Sequence, residues 1–193
     1  MSSDASASFP SAQSTGINLD RPLLPALQGL TDLGSATRYE DEIFGIIDHI
    51  RLFEDLGRAE ISQLCRKMKC FSAKRGDVIV QEGDDGDFLG IVLTGEVDVV
   101  KRGANGEAKH LAVIGPGASV GEMSLINGTP RFATCIAREP TDIAVLTRDA
   151  IYDIFVLEPS LGNKLLLILL QITSQRLRET SDRLLPFIGG TPG

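Results

Sequence analysis

Gly117-Ala118-Ser119-Val120-Gly121-Glu122-Met123-Ser124-Leu125-Ile126-Asn127-Gly128-Thr129-Pro130-Arg131-Phe132-Ala133-Thr134 is the stretch on which the reading of this chain turns. It reads as a glycine turn opening a very short helix, then a loop, then Pro130-Arg131 entering a strand. The first amides of a helix have no carbonyl partner inside it and stand at the positive end of its dipole. Gly121, without a Cβ, lets an anion come close, and the amides around Ser124 are placed to bind it. Arg131 adds a planar fork suited to phosphate oxygens. Glu122 is an acceptor where a sugar hydroxyl would donate. The plainer alternatives are a surface arginine at 131 and a helix-capping glutamate at 122, and both would have to hold together.

Working outward, the apolar period on either side of this stretch decides the architecture. Between Phe71 and Arg148 residues alternate, in Val78-Ile79-Val80, Leu89 to Leu93, Val97-Asp98-Val99 and Leu111-Ala112-Val113, as half-buried strands do. Asn105-Gly106 predicts a two-residue hairpin turn. Many short strands at close spacing predict a sandwich or jelly-roll barrel. Upstream, Ile43, Ile46, Ile47 and Ile50 recur at helical steps, and after Gly57 a second helix is expected through Ile61, Leu64 and Met68. Downstream, a long helix is expected from about Ser160 to Leu185, ended by Pro186.

The expected fold class is therefore α+β: a β jelly-roll barrel with flanking helices and a long C-terminal helix. Residues 1–38, rich in Ser, Ala, Gly and Pro, are expected to be a flexible arm with a short amphipathic piece near Leu23 to Leu33. Residues 39–158 would be the helical lead-in and barrel, 159–185 the long helix and 186–193 a flexible tail. On that helix Leu166, Leu170, Thr173, Leu177, Thr180 and Leu184 fall at alternating steps of four and three, a coiled-coil seam. Such a seam packs either on the same helix of a second copy, giving a twofold dimer, or on its own barrel.

Composition narrows the function. At 193 residues one domain with extensions is expected. A hydrophobic content of 42% with 23% charged residues is ordinary for a globular chain, and nothing in it points to a wholly disordered or fibrous one. The net charge of −7 disfavours nonspecific nucleic-acid binding, which draws on cationic side chains, but leaves room for one anionic ligand. Cys65, Cys70 and Cys135 match no metal-ligand spacing and read as core or bystander thiols of a reducing compartment. No secretory signal and no run of membrane-spanning length is present, so a cytoplasmic protein is expected. Gly117-Ala118-Ser119-Val120-Gly121 spells the hydrolase pattern Gly-x-Ser-x-Gly. That motif needs a parallel α/β context and a later histidine, whereas His49 and His110 both precede Ser119. Neither an enzyme nor a metal or organic cofactor is expected.

Gly121-Glu122-Met123-Ser124-Leu125 with Pro130-Arg131-Phe132-Ala133 closely resembles the phosphate-binding cassette of the cyclic-nucleotide-binding family. The resemblance extends through Arg75-Gly76-Asp77-Val78-Ile79, Glu82-Gly83-Asp84 and Leu93-Thr94-Gly95-Glu96-Val97, covering roughly residues 50–185. It implies that Arg131 binds the cyclic phosphate and Glu122 the ribose 2′-hydroxyl, with Gly121, Met123, Ser124, Phe132 and Ala133 beside them. Arg176-Leu177-Arg178-Glu179-Thr180-Ser181-Asp182-Arg183-Leu184 resembles the central helix of the bacterial catabolite activator branch, where a Thr-Ser pair meets adenine. It implies that Thr180 and Ser181 do so here, Ser181 reaching across a dimer.

Phe132 departs from the family pattern, which has alanine or serine there in cyclic-AMP binders and threonine in cyclic-GMP binders. The absent hydroxyl argues against cyclic GMP, while the ring's bulk is compatible with a narrowed pocket, a stacking surface or lost binding. The resemblance thus implies a stand-alone cyclic-AMP sensor signalling through a partner protein. The alternatives are a non-binding interaction scaffold or a sensor for cyclic GMP or a cyclic dinucleotide. Too little chain follows Leu184 for the family's three-helix DNA-binding module, so direct DNA binding is not expected.

Overall fold

The computed structural model describes residues 27–46, 50, 53 and 55–188. Nine strands form two antiparallel sheets that face each other as a jelly roll, with helices packed on the outer side of one of them. The strands are β1 (Thr31–Ser35), β2 (Lys69–Ala73), β3 (Val78–Val80), β4 (Phe88–Thr94), β5 (Val97–Arg102), β6 (Ala108–Ile114), β7 (Ser119–Val120), β8 (Thr134–Ala137) and β9 (Thr141–Thr147). One sheet runs β1-β2-β9-β4-β7 and the other β3-β8-β5-β6. The helices are α1 (Glu40–Gly45), α2 (Arg58–Cys65), α3 (Glu122–Asn127), α4 (Arg148–Leu157) and α5 (Pro159–Ile188).

Strand alternation divides the core in two. On β4, Phe88 and Val92 point between the sheets while Leu89, Ile91 and Leu93 point to the helical side. On β9, Ile143 and Val145 face inward and Ala144 and Leu146 outward. The central strands of the larger sheet are therefore buried on both faces, and α2, α4 and the first half of α5 cover the outer one. Helix α5 contributes Leu161, Leu165, Ile168, Leu169 and Ile172 to that layer. Pro159 starts it, where a missing N–H costs nothing.

Several expectations are corrected. Residues 27–38 of the expected arm are ordered: Leu27 and Leu30 are buried in the barrel core, and β1 pairs with β2. The amphipathic piece near Leu23 to Leu33 thus ends in a strand, and residues 1–26 lie outside the described residues. Helix α2 stops at Cys65, so Met68 sits beyond it, buried just before β2. Ile47 lies outside the described residues. Between β5 and β6 the turn is wider than two residues. The Gly106 N–H donates to the Gly103 carbonyl at 2.9 Å, and only Gly106 takes a positive φ, as in a type I turn followed by a bulge. Finally, α5 continues through Pro186 to Ile188, so the tail begins later than expected. A proline in a last turn removes one hydrogen bond, which exposed backbone recovers from water.

Leu166, Leu170, Leu177 and Leu184 of the seam are 45 to 68% exposed. Packing on the chain's own barrel is done by the other stripe, Leu161 to Ile172. From Leu177 to Leu185 every residue of α5, a helix about 45 Å long, is exposed, although Arg183 still reaches the Leu111 carbonyl of β6.

Candidate functional site

The decisive segment folds as β7, α3, a loop and the entry to β8. Helix α3 starts at Gly121, whose φ of +83° is in the left-handed region. It rests against the β3–β4 connection at Gly86, where a Cβ would lie 2.1 Å from that of Ser124, so only a bare backbone admits it. Ser124 is buried and its Oγ donates to the Pro130 carbonyl at 3.3 Å, closing the loop. Arg148, at the start of α4, clamps both parts by donating to the carbonyls of Gly86 at 2.5 Å and Ser124 at 3.2 Å.

Arg131 is 4% exposed. Its guanidinium donates to the carbonyls of Gly121 at 2.8 Å and Phe88 at 2.9 Å, and stacks 4.4 Å from the centre of the Phe88 ring. Burial lowers its pKa from the usual arginine value, opposed first by the charge of Asp87. A desolvated cation held by neutral carbonyls favours an anion as its counter-charge. The surface-arginine alternative is thereby excluded.

Glu122 is fully buried and forms an ion pair through Oε1 with Nη1 of Arg176, from α5, while Oε2 accepts from Ser119 Oγ at 3.5 Å. Arg176 Nη2 also donates to the Ser119 carbonyl at 2.6 Å. Ser119 lies within β7 in an antiparallel sheet, not on a strand-to-helix elbow, which removes the context a hydrolase nucleophile needs.

Gly121, Glu122, Met123, Ser124, Arg131, Phe132, Ala133 and Thr180 all line one cavity of about 760 Å³, between the barrel mouth and α5. Ser181 is not among its walls: its hydroxyl donates back to the Leu177 carbonyl at 2.9 Å. Thr180 likewise donates to the Arg176 carbonyl at 2.8 Å, leaving its hydroxyl oxygen able to accept. Phe132 is 54% exposed, with the Lys101 ammonium 4.4 Å from its ring centre.

Sequence reasoning missed Arg176 and Arg183 as site residues. Both line the cavity, and Arg183 Nη1 donates to the Leu111 carbonyl at 3.5 Å. Leu111 is the extra residue of a bulge in β6, where Val99 pairs with Ala112 and Val100 with His110, and bulges free a carbonyl in this way. The available signal was spacing: Arg176 and Arg183 stand four before and three after Thr180, on the same helix face. The three cysteines are buried and free; burial pushes the thiols of Cys65, Cys70 and Cys135 up to about 11, 12 and 11, so they are protonated at neutral pH. No helix among the described residues is long and apolar enough to cross a membrane, and no metal-binding cluster occurs among them.

Known proteins share this fold. The profile of the cyclic nucleotide-binding domain matches residues 70–156. A crystal structure of a cyclic nucleotide-binding domain from Methylobacillus flagellatus KT is 44% identical, superposes with a TM-score of 0.77, and covers 89% of this chain and 96% of that one. This chain belongs to the cyclic-nucleotide-binding domain family. Within the family it is similar to the CRP-like cAMP-activated global transcriptional regulator of Mycobacterium tuberculosis, 26% identical over 74% of this chain and 62% of that protein. It is also similar to the regulatory subunit of a cAMP-independent protein kinase A from Trypanosoma brucei, 29% identical with a TM-score of 0.61 over 74% of this chain and 50% of that one. The cyclic-nucleotide-binding domain thus spans less than two thirds of these two relatives.

Proposed function

We propose that this chain senses cyclic AMP, working as a twofold dimer through α5 and signalling to a partner protein without catalysing a reaction. The observation that carries the reading is that buried Arg131 and buried Glu122 stand in the wall of one cavity roofed by α5. Arg131 faces the cyclic phosphate and Glu122 accepts from the ribose 2′-hydroxyl. A carboxylate has about four lone-pair sites, so Glu122 holds the ribose while keeping Arg176.

Charge supports a mononucleotide. Arg131, Arg176 and Arg183 against Glu122 and Glu179 leave the cavity wall one net positive charge, three less two, which one phosphodiester neutralises. A cyclic dinucleotide brings two negative charges. Adenine is favoured because Phe132 offers no hydroxyl and because a relative is described as cAMP-activated. The kinase subunit described as cAMP-independent favours a second reading, a ligand other than cyclic AMP in the same cavity. The scaffold reading rested on Phe132, whose ring is half-exposed at the edge of a cavity that stays within the usual size for small-molecule sites.

Calorimetric titration with cyclic AMP and cyclic GMP tests the proposal. Tight, cyclic-AMP-selective binding is expected; selectivity for cyclic GMP would transfer the reading to the second ligand, and no heat with either would sink it. Thr180→Ala is expected to narrow the preference for cyclic AMP over cyclic GMP more than it lowers either affinity. Equal losses would remove Thr180 from base recognition.

The exposed seam supports the dimer. Leu177→Glu places a charge at its most exposed leucine, and the expected result is a shift from dimer to monomer by sedimentation equilibrium with an unchanged circular dichroism spectrum. Persistence of the dimer would move the interface elsewhere.

A further inference from the structure

Phe132 occupies a place that its chemistry does not explain by packing. It is more than half exposed, yet it is fixed. The Lys101 ammonium covers its ring at 4.4 Å, and Lys101 in turn donates to the Phe132 carbonyl at 2.7 Å and to Glu82 Oε1 at 2.8 Å. Glu82 is itself anchored, its Oε2 accepting from the Arg102 N–H at 2.8 Å. Lys101 lies in the inward-facing row of β5 with Val97 and Val99, so it stands where the barrel core gives way to the cavity mouth.

Around the same cavity are Leu111 from β6, Met123 from α3 and Leu177 from α5, each exposed, so three separate elements bring uncovered apolar side chains to this mouth. Leu111 is turned there by the β6 bulge. The polar anchors for phosphate and ribose, Arg131 and Glu122, lie deeper and are buried. A ligand seated on them therefore presents its remaining flat, apolar part to Phe132.

Resting on the cyclic-nucleotide reading of this site, we infer that Phe132, braced by Lys101 and Glu82, is the stacking platform for the base and gives the site a preference for purines over pyrimidines. A flat base gains from an aromatic face in proportion to its overlap, and stacking is indifferent to edge hydrogen bonding. Lys101 holds the ring through its π face, so the platform is formed before ligand arrives.

The test compares affinities of the wild type, Phe132→Ala, Phe132→Leu, Phe132→Tyr and Lys101→Met for cyclic AMP and cyclic CMP. Phe132→Ala is expected to weaken cyclic AMP by about 5- to 150-fold and cyclic CMP by much less, collapsing the ratio. Phe132→Leu, which keeps apolar bulk without the π face, recovers only part; Phe132→Tyr recovers nearly all; Lys101→Met falls between. Equal losses for both nucleotides, or no loss, would overturn the platform. Failure of the underlying reading looks different: the wild type would bind neither nucleotide, or Arg131→Ala would bind as well as the wild type, and the platform would fall with it. If the wild type binds, Arg131→Ala does not, and Phe132→Ala keeps the ratio, only the platform is wrong.

Discussion

Arg131→Ala is expected to weaken cyclic-nucleotide binding by about 2 to 5 kcal/mol, the range for removing one partner of a buried, hydrogen-bonded charge pair. The guanidinium is desolvated and bonded to the Gly121 and Phe88 carbonyls, so its position is set before any ligand enters. Arg131→Lys is expected to recover little, because an ammonium cannot span two carbonyls and a phosphate with one planar fork. Ligand-induced thermal stabilisation reads the same loss, since stabilisation follows the ratio of ligand concentration to Kd. An unchanged affinity in Arg131→Ala would take the phosphate away from this residue.

The other large effect belongs to Gly121, which carries no functional group. At Gly121→Ala the new Cβ would lie 2.0 Å from Arg131 Nη1 and 2.9 Å from the Phe88 carbonyl oxygen, in a backbone with φ of +83°. The left-handed conformation alone costs about 1 to 2 kcal/mol for an L-residue, and displacing a buried guanidinium from its carbonyls adds about 1 to 3 kcal/mol. The expected result is a melting temperature lower by about 5 to 15 °C together with loss of nucleotide binding. Gly76→Ala is the control: its φ is +90°, but nothing stands within 4 Å of the added Cβ. It should show the conformational cost with binding intact. Equal behaviour of the two variants would mean that Gly121 matters only for its backbone angle.

How far the chain could be read follows from where its information sits. The cassette was legible because Gly121 to Ala133 are near neighbours in sequence and supply the turn, the carboxylate and the guanidinium together. Strands β4 and β5 were legible, β4 as a short apolar run buried on both faces and β5 because apolar Val97 and Val99 alternate with Asp98 over the inner core. Strand β1 was not. Thr31–Ser35 holds one large apolar residue and a glycine, and it becomes a strand through its pairing with β2. The roles of Arg176, Arg183 and Lys101 were hidden for a related reason: each reaches the site from an element far along the chain, and only the tertiary fold brings a helix, a bulge and a cassette to one cavity. Ser181 stands about 100° round the helix from Thr180, off the face that sees its own chain's cavity, so the reach across a dimer expected of it concerns a second copy.

The contact of Arg176 with Glu122 and Ser119 makes the nucleotide pocket and the long helix parts of a single equilibrium. If filling the cavity changes where α5 rests, then a protein that grips α5 must change nucleotide affinity by the same factor, because the free-energy cycle closes. Measured sensitivity to cyclic nucleotide would then be a property of the assembly: the same chain would respond at one concentration alone and at another when engaged, and the shift would itself report that a partner had bound.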